Sequence, residues 1–146
     1  MKRFRSGLWI AALALLAPTT WAQTPAGLWK TIDDKTGKEK SLVRIVESAG
    51  VFSGKVEMGL EPNAKPDQRC EDCTDSRKGQ PLLGMTIIRN MKKGENHWEG
   101  GDILDPNNGK VYKLRLSLSA DNTKLDVRGY IGAPMFGRSQ TWLRVE

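Results

Sequence analysis

The sequence has little of the chemistry on which enzymes and nucleic-acid-binding proteins depend. Its 146 residues include one histidine and two cysteines. No serine lies in a nucleophile-elbow motif, and the spacing of the charged residues does not indicate a catalytic acid–base pair. Charges of both signs are mixed along the chain, without the basic block that marks a nucleic-acid surface. We therefore expect no catalytic residues, no cofactor and no nucleic-acid partner.

The single histidine, His97, is the one imidazole around which a metal site can be drawn. It lies near Glu95, Glu99 and Asp102 in the sequence, and carboxylates and imidazole are both metal ligands. A lone histidine with loosely spaced carboxylates is, however, more typical of the polar start of a strand. We therefore predict no metal site.

The sequence also lacks an apolar run long enough to cross a bilayer. The longest run, residues 8–17, follows three basic residues and precedes Thr-Trp-Ala, which ends at Ala22. Basic residues, a short apolar run and a small residue at the cut are the parts of a secretory signal peptide. We expect cleavage after Ala22 and a periplasmic or secreted protein of residues 23–146 with no membrane span. An uncleaved N-terminal anchor is the alternative.

Removal of this leader changes the apparent charge of the protein. The whole chain has 23 basic and 17 acidic residues and a formal charge of +6. Residues 1–22 hold three of the basic residues and no acid, so residues 23–146 carry a formal charge of +3. Their length corresponds to a single ordinary domain with one core.

Both cysteines, Cys70 and Cys73, lie in the short segment RCEDCTD. Export sends them to an oxidising compartment, which favours a disulfide. The alternatives are redox chemistry and a contribution to a metal site. The two acidic residues between the cysteines oppose redox chemistry, because nearby negative charge raises the pKa of a thiol and so reduces the fraction present as nucleophilic thiolate. So short a closed loop stabilises the fold by only about 2 kcal/mol. The bridge is expected to fasten a local loop.

Short apolar or alternating runs separated by turn residues predict strands along the whole mature chain. In the run from 110 to 119, Tyr112, Leu114, Leu116 and Leu118 share one face and polar residues share the other. This alternation is typical of a strand with one buried side. The candidate strands are residues 26–32, 40–47, 51–58, 82–91, 97–104, 110–119, 123–130 and 138–145.

Eight strands joined mainly by hairpins predict an all-β protein, an antiparallel up-and-down meander. Closing the meander into a small lipocalin-like barrel removes the two free edges of the sheet. A two-sheet sandwich is the alternative, but Greek-key sandwiches need long crossovers. Only the connection at residues 59–81 is long, so we favour the closed barrel.

The first and last strands carry residues that resemble the closed end of lipocalins. Gly27-Leu28-Trp29 resembles the Gly-x-Trp with which those barrels begin. The resemblance implies that Trp29 plugs one end and is covered by an arginine from the last strand. Arg144, two residues after Trp142, is the candidate cover, because a guanidinium stacks well on an aromatic face. We assign structural roles to Gly27, Trp29, Trp142 and Arg144.

Longer segments of the chain resemble the bacterial family DUF2147, a domain of unknown function. The most specific are Asp-Pro-x-x-Gly-Lys-x-Tyr at residues 105–112 and the segment from Arg128 through Arg138 to Trp142. The resemblance covers essentially all of residues 23–146 and implies a small, exported, lipocalin-like β protein. It implies no reaction, cofactor or catalytic set.

The last two strands contain the best candidates for a ligand site. Arg138, Gln140, Trp142 and Arg144 form one row, and a one-residue register slip decides whether this row lines a pocket or faces solvent. The glycines at 129, 132 and 137 are expected to allow bends or bulges at a barrel corner. The candidate ligand-binding residues are Arg44, Arg128, Tyr130, Arg138 and Gln140.

The predicted function is therefore the binding of a small amphipathic or apolar molecule in the mouth of an exported barrel. The alternative is an envelope protein-interaction module with a filled core and no ligand. In that case a protein partner contacts the outer surface and the loop that contains Cys70 and Cys73.

Overall fold

Residues 23–146 are described by the structure, a computed structural model that contains strands and no helix within this range. The predicted signal peptide and its cut after Ala22 lie outside these residues. In the described part, no helix is long and apolar enough to cross a membrane. The strands are β1 (Gly27–Ile32), β2 (Glu39–Ser48), β3 (Val51–Gly59), β4 (Thr86–Lys93), β5 (Trp98–Asp105), β6 (Lys110–Leu118), β7 (Lys124–Tyr130) and β8 (Gly137–Arg144).

The eight strands form one closed barrel in sequence order. Each strand pairs antiparallel with the next, and β8 pairs antiparallel with β1. Closure leaves no sheet edge of the kind that an open meander exposes. The predicted up-and-down barrel is confirmed, and the two-sheet sandwich is wrong.

Strand β4 begins four residues later than the sequence pattern predicted. The apolar residues from Leu82 to Met85 belong to the preceding connection, where Gly84 has a φ of 79°. The Leu82 N–H donates to Gln68 O at 2.9 Å, and the Gly84 N–H donates to Val56 O at 2.7 Å. These bonds hold the segment against Gln68 and against Val56 on β3, so it does not extend β4, although its composition matches that of a strand.

The seam between β1 and β8 is much shorter than the other seams. Its register contains two residue pairs, Trp29 with Arg144 and Lys30 with Leu143. Just below them, the Leu28 N–H donates to Glu146 O at 2.9 Å, and the Val145 N–H donates to Leu28 O at 2.8 Å. By contrast, β6 and β7 pair over six residues in unbroken register.

One end of the barrel is closed by Trp29 and Arg144. The Trp29 indole is fully buried and donates from Nε1 to Pro25 O at 2.8 Å. The Arg144 guanidinium lies 4.3 Å from the centre of this ring. It donates to three backbone carbonyls: Asn122 O at 2.6 Å, Ala26 O at 2.9 Å and Thr24 O at 2.8 Å. Burial lowers the pKa of Arg144, because it removes the guanidinium from water.

Gly27 is required by this closed end. Its φ is 143°, and a Cβ at this position would collide with the Arg144 guanidinium and with Glu146 O. Glycine has no Cβ, so only glycine lets the chain pass this close. The first glycine of the Gly-x-Trp segment therefore provides space for the arginine that covers the tryptophan.

The long connection between β3 and β4 contains a disulfide and an ion pair, and Arg77 of that ion pair ties it to β4. Cys70 and Cys73 form the predicted disulfide, and both residues are completely buried. Nearby, Arg77 pairs with Asp75 at 2.6 Å and donates from Nη1 to Thr86 O at 2.9 Å. The connection is thus held against the start of β4.

The disulfide loop packs on the turn between β5 and β6. A Cβ at Gly109 would overlap the backbone of Asp72 and Cys73, and Gly109 has a φ of 71°. Both facts require glycine at this position. The glycine of the Asp-Pro-x-x-Gly segment therefore leaves the disulfide loop room to pack on this turn.

Candidate ligand-binding site

The barrel contains a cavity of about 960 Å³ at the end opposite Trp29. Antiparallel hairpin order places the connections 33–38, 60–85, 106–109 and 131–136 at this end, which we call the mouth. Leu82, Leu83, Ile131 and Phe136 from these connections line the cavity. The interior is therefore filled at the closed end and open at the mouth.

The row of alternate residues on β8 faces the barrel interior. Arg138, Gln140 and Trp142 line the cavity, and Arg144 continues the same row to the closed end. Trp142 is buried, whereas Leu143 on the opposite face is exposed. The register left open by the sequence is thus resolved, with arginine, glutamine and tryptophan in the wall.

A chain of hydrogen bonds connects this row to the connection between β1 and β2. The Arg138 guanidinium forms a two-bond ion pair with the Asp34 carboxylate, in which Nε donates to Oδ2 at 2.9 Å. Gln140 Nε2 donates to Asp34 Oδ1 at 3.2 Å, and Trp142 Nε1 donates to Gln140 Oε1 at 3.0 Å. The Arg138 hydrogen bond lowers the pKa of Asp34, and the same bond raises the pKa of Arg138.

A pair of hydroxyl groups lies on the neighbouring strands β1 and β2. Thr31 Oγ1 and Ser41 Oγ are 2.9 Å apart, and the Ser41 N–H donates to Thr31 Oγ1 at 3.1 Å. Thr31 is buried, and both residues line the cavity. Because β8, β1 and β2 are adjacent in the barrel, these hydroxyls and the β8 side chains occupy one side of the cavity. We call Thr31, Ser41, Arg138 and Gln140 the polar stripe.

The other side of the cavity is largely hydrocarbon. Its aliphatic residues come from β3, β4, β5 and β7, and we call them the apolar wall. The charged and phenolic side chains of Asp105 on β5, Tyr112 on β6 and Tyr130 on β7 lie near the strand ends at the mouth. The apolar wall consists of Val56, Ile87, Ile103, Leu104 and Val127.

The five predicted ligand-binding residues do not form one cluster. Arg138 and Gln140 line the cavity from the inner face of β8, and Tyr130 borders it at the end of β7. Arg44 alternates with the buried Val43 and Ile45 on β2, so it faces outward.

The two outward-facing arginines instead hold parts of the outer surface. Arg44 pairs with Glu57 and with Glu146, the latter at 2.5 Å. Arg128 donates to Pro134 O at 2.7 Å and to Ser139 Oγ at 3.0 Å, which fastens the connection between β7 and β8. Ligand binding by any of the five predicted residues stays a prediction.

Sequence reasoning missed Asp34, Thr31 and Ser41. The inward direction of Thr31 could have been predicted, because side chains alternate along a strand and an inward-pointing Trp29 places Thr31 on the same face. Ser41 likewise shares a face with Val43. Asp34 gives no such signal, because it lies in a turn where side-chain direction does not alternate.

Of the bends or bulges expected at the glycines of the last hairpin, the structure shows a bend at Gly132, where φ is 78°, and no bulge between β7 and β8. The register of β7 and β8 runs unbroken from Lys124 with Leu143 to Tyr130 with Gly137. Gly129 pairs with Arg138 within this ladder and lines the cavity. Register shifts occur instead in the pairings of β1 with β2, β2 with β3, β3 with β4 and β5 with β6, so the strands bend elsewhere in the barrel.

The histidine lies apart from this cavity, at the start of β5. His97 Nε2 is 2.7 Å from Glu99 Oε2, and Arg115 lies 3.9 Å from the same carboxylate oxygen. Within residues 23–146, no group of three or more histidine, cysteine, aspartate or glutamate side chains is arranged to hold a metal ion.

Comparison with known proteins places the chain in a bacterial family and shows which solved structure its fold resembles. Residues 27–144 match the family described as "Uncharacterized protein conserved in bacteria", DUF2147. Among solved structures, the barrel resembles protein HP1028 from Helicobacter pylori, which is described as belonging to the lipocalin family. The match has a TM-score of 0.71 and 18% sequence identity, and covers 83% of this chain and 82% of that chain. At this identity the likeness shows the fold alone. No curated protein matches the chain.

Proposed function

The chain belongs to the DUF2147 family, and from the cavity of its lipocalin-like barrel we propose that it binds a small amphipathic molecule. The observation that carries this proposal is a cavity of about 960 Å³ that is open at the mouth and closed by Trp29 at the other end. Ligand pockets in proteins typically measure about 300–1,000 Å³. The cavity is therefore large enough for an organic molecule rather than an ion.

The lining supports an amphipathic ligand over a purely hydrocarbon one. Apolar wall residues such as Val127 provide burial for a hydrocarbon body, at about 25 cal/mol for each Å² removed from water. Arg138 and Gln140 place charge and amide groups within the same space. A ligand without polar atoms would strip water from these groups and leave them without partners, which opposes binding.

Exposed apolar side chains at the mouth support the same proposal. Ile131 and Phe136 belong to the connection between β7 and β8 and are 66% and 70% exposed, yet they line the cavity. A ligand that fills the cavity would cover part of this surface. Exposed apolar groups that border a pocket commonly mark a binding site.

We propose that the protein works in the periplasm. The leader at residues 1–22 has the pattern of a secretory signal, and the disulfide between Cys70 and Cys73 is compatible with an oxidising compartment. An amphipathic molecule that must cross this aqueous space benefits from a carrier that shields its hydrocarbon part.

A protein-interaction module is the second candidate, and the mouth gives it one supporting observation. Met135 is 76% exposed and does not line the cavity, although it lies between residues that do. A partner that docks there would bury it. The disulfide loop is a weaker docking candidate than the sequence suggested, because both of its cysteines are buried.

The test is a titration of the full-length, purified protein with an environment-sensitive apolar dye, in parallel with native mass spectrometry of protein recovered from its own periplasm. We expect saturable dye binding and a reproducible small-molecule adduct. Val127→Phe should remove dye binding, because it fills the cavity. Val46→Phe is the matched control, since Val46 is 45% exposed on the outer face of β2. Wild-type protein that binds no dye and carries no adduct would overturn the proposal.

A further inference from the structure

The two sides of the cavity differ in chemistry along its length, and we propose that the ligand is a rigid, facially amphipathic molecule. Such a molecule has a stiff hydrocarbon skeleton with hydroxyl or carbonyl oxygens along one face. This inference rests on the proposed ligand-binding function and specifies the class of ligand. It contrasts with a linear amphiphile, whose polar group lies at one end.

The polar stripe is continuous across three adjacent strands. Arg138 and Gln140 are two residues apart on β8, which separates them by about 7 Å along the strand. Thr31 and Ser41 continue the stripe onto β1 and β2. Polar groups therefore extend around one side of the cavity, from Arg138 and Thr31 near the mouth to Gln140, the fourth residue of β8.

The stripe has hydrogen-bond donors left over after its internal contacts are counted. Thr31 and Ser41 have two hydroxyl hydrogens, and one hydrogen accounts for the bond between their oxygens. Gln140 donates one of its two amide hydrogens to Asp34, and Arg138 uses Nε and one Nη for the same carboxylate. The remaining donors require acceptor oxygens on the ligand.

The opposite side requires hydrocarbon. Val56, Ile103 and Val127 offer no hydrogen bond, so an oxygen that faced them would be desolvated without a partner. A linear amphiphile satisfies the apolar wall but leaves most of the stripe donors without acceptors. A molecule with oxygens on one face and carbon on the other satisfies both sides at once.

The test compares three probes by isothermal titration calorimetry on the full-length protein, below their micellar concentrations. Cholate has hydroxyls on one face of a rigid ring system, lithocholate has the same rings with a single hydroxyl, and palmitate is linear. We expect cholate to bind roughly tenfold more tightly than lithocholate, about the effect of two hydrogen bonds. If affinity depended on hydrophobicity alone, lithocholate would bind more tightly than cholate. The order of these two affinities therefore distinguishes a facially amphipathic ligand from a merely apolar one.

Two stripe variants and a control assign the preference to the predicted side chains. Ser41→Ala removes one hydroxyl from the stripe. The backbone N–H at position 41 can still donate to Thr31 Oγ1, so the pairing of the two strands is kept. The substitution should weaken cholate about threefold to tenfold and leave palmitate unchanged. Gln140→Met should act in the same direction. Ser53→Ala is the matched control, because Ser53 alternates with the buried Phe52 on β3 and faces outward.

The outcomes separate this inference from the function on which it rests. If the apolar dye binds but lithocholate or palmitate binds as tightly as cholate, the facial-amphiphile class is wrong and the carrier proposal stands. The ligand class is also wrong, and the carrier proposal again stands, if cholate affinity is equal in Ser41→Ala and Ser53→Ala. If the dye and all three probes fail to bind, both the carrier proposal and this inference are wrong.

Discussion

Replacing Arg144 by methionine is expected to open the closed end of the barrel. The guanidinium donates to three backbone carbonyls at 2.6, 2.8 and 2.9 Å and stacks on Trp29. Methionine retains much of the side-chain volume but cannot donate a hydrogen bond. The perturbation therefore removes the polar contacts while largely preserving the packing.

The expected loss follows from those contacts. Hydrogen bonds from a charged donor contribute about 1.5–3 kcal/mol each, and a cation–π contact contributes about 0.5–2 kcal/mol. Arg144 is partly exposed, and the lowered pKa shows that burying its charge has a cost, which methionine avoids. We therefore expect a net loss of about 3–4 kcal/mol, or about 10 °C in Tm. Arg144→Lys retains the charge without the flat stacking surface and should lose about half as much.

The assay is urea unfolding followed by tryptophan fluorescence, with the free energy of unfolding taken by linear extrapolation. Arg44→Met is the matched control, because Arg44 pairs with glutamates on the exposed outer surface and such pairs contribute at most about 1 kcal/mol. The stabilising role of Arg144 is refuted if Arg144→Met costs no more than Arg44→Met, or if Arg144→Lys is as stable as the wild type.

Three further predictions concern the long connection and its anchors. Replacing Cys70 and Cys73 together by serine should lower the free energy of unfolding by about 2 kcal/mol in a denaturant titration; a loss of the whole fold would mean that the bridge does more than fasten a loop. Gly109→Ala should destabilise both the reduced and the oxidised protein, because the overlap is with backbone; equal Tm values for variant and wild type would contradict this. Hydrogen bonding from Arg77 holds the pKa of Asp75 at about 2, below the unfolded value of about 3.9. The stability from this pair is thus complete above about pH 4 and lost as the pH falls through about 2. Asp75→Asn should lower Tm at neutral pH and have no effect below about pH 2, whereas an equal effect at both pH values would exclude the ion pair as its cause.

The fold was predictable because its signals are local. Strand alternation such as Leu114 and Leu116, both buried, and turn residues between strands identify the elements one at a time. Closure was predictable because an open eight-stranded meander would leave its first and last strands with unpaired edges. The start of β4 was mispredicted, because the apolar residues from Leu82 to Met85 have the composition of a strand, while their backbone bonds are made to Gln68 in the connection and to Val56 on β3.

The site was less predictable because it depends on contacts between distant residues. Tyr130, Arg138 and Gln140 were named from one segment, and the structure places them around one cavity. Their partner Asp34 lies more than one hundred positions away in the sequence, and a turn gives no alternation from which to infer its direction. Charge alone could not separate the outward-facing Arg44 from the cavity-lining Arg138.

The short seam between β1 and β8 has a consequence for how the chain acquires its structure. The seam joins residues 28–30 to residues 143–146, so it spans nearly the whole sequence that forms the barrel. Contacts between such distant segments are slow to form, because a long chain must be closed before they stabilise anything. The hairpins can form as the chain emerges from the ribosome, but the cylinder cannot close until the last strand has followed. Until then the first strand presents a free edge, and this interval is when the protein is most exposed to aggregation and to proteolysis.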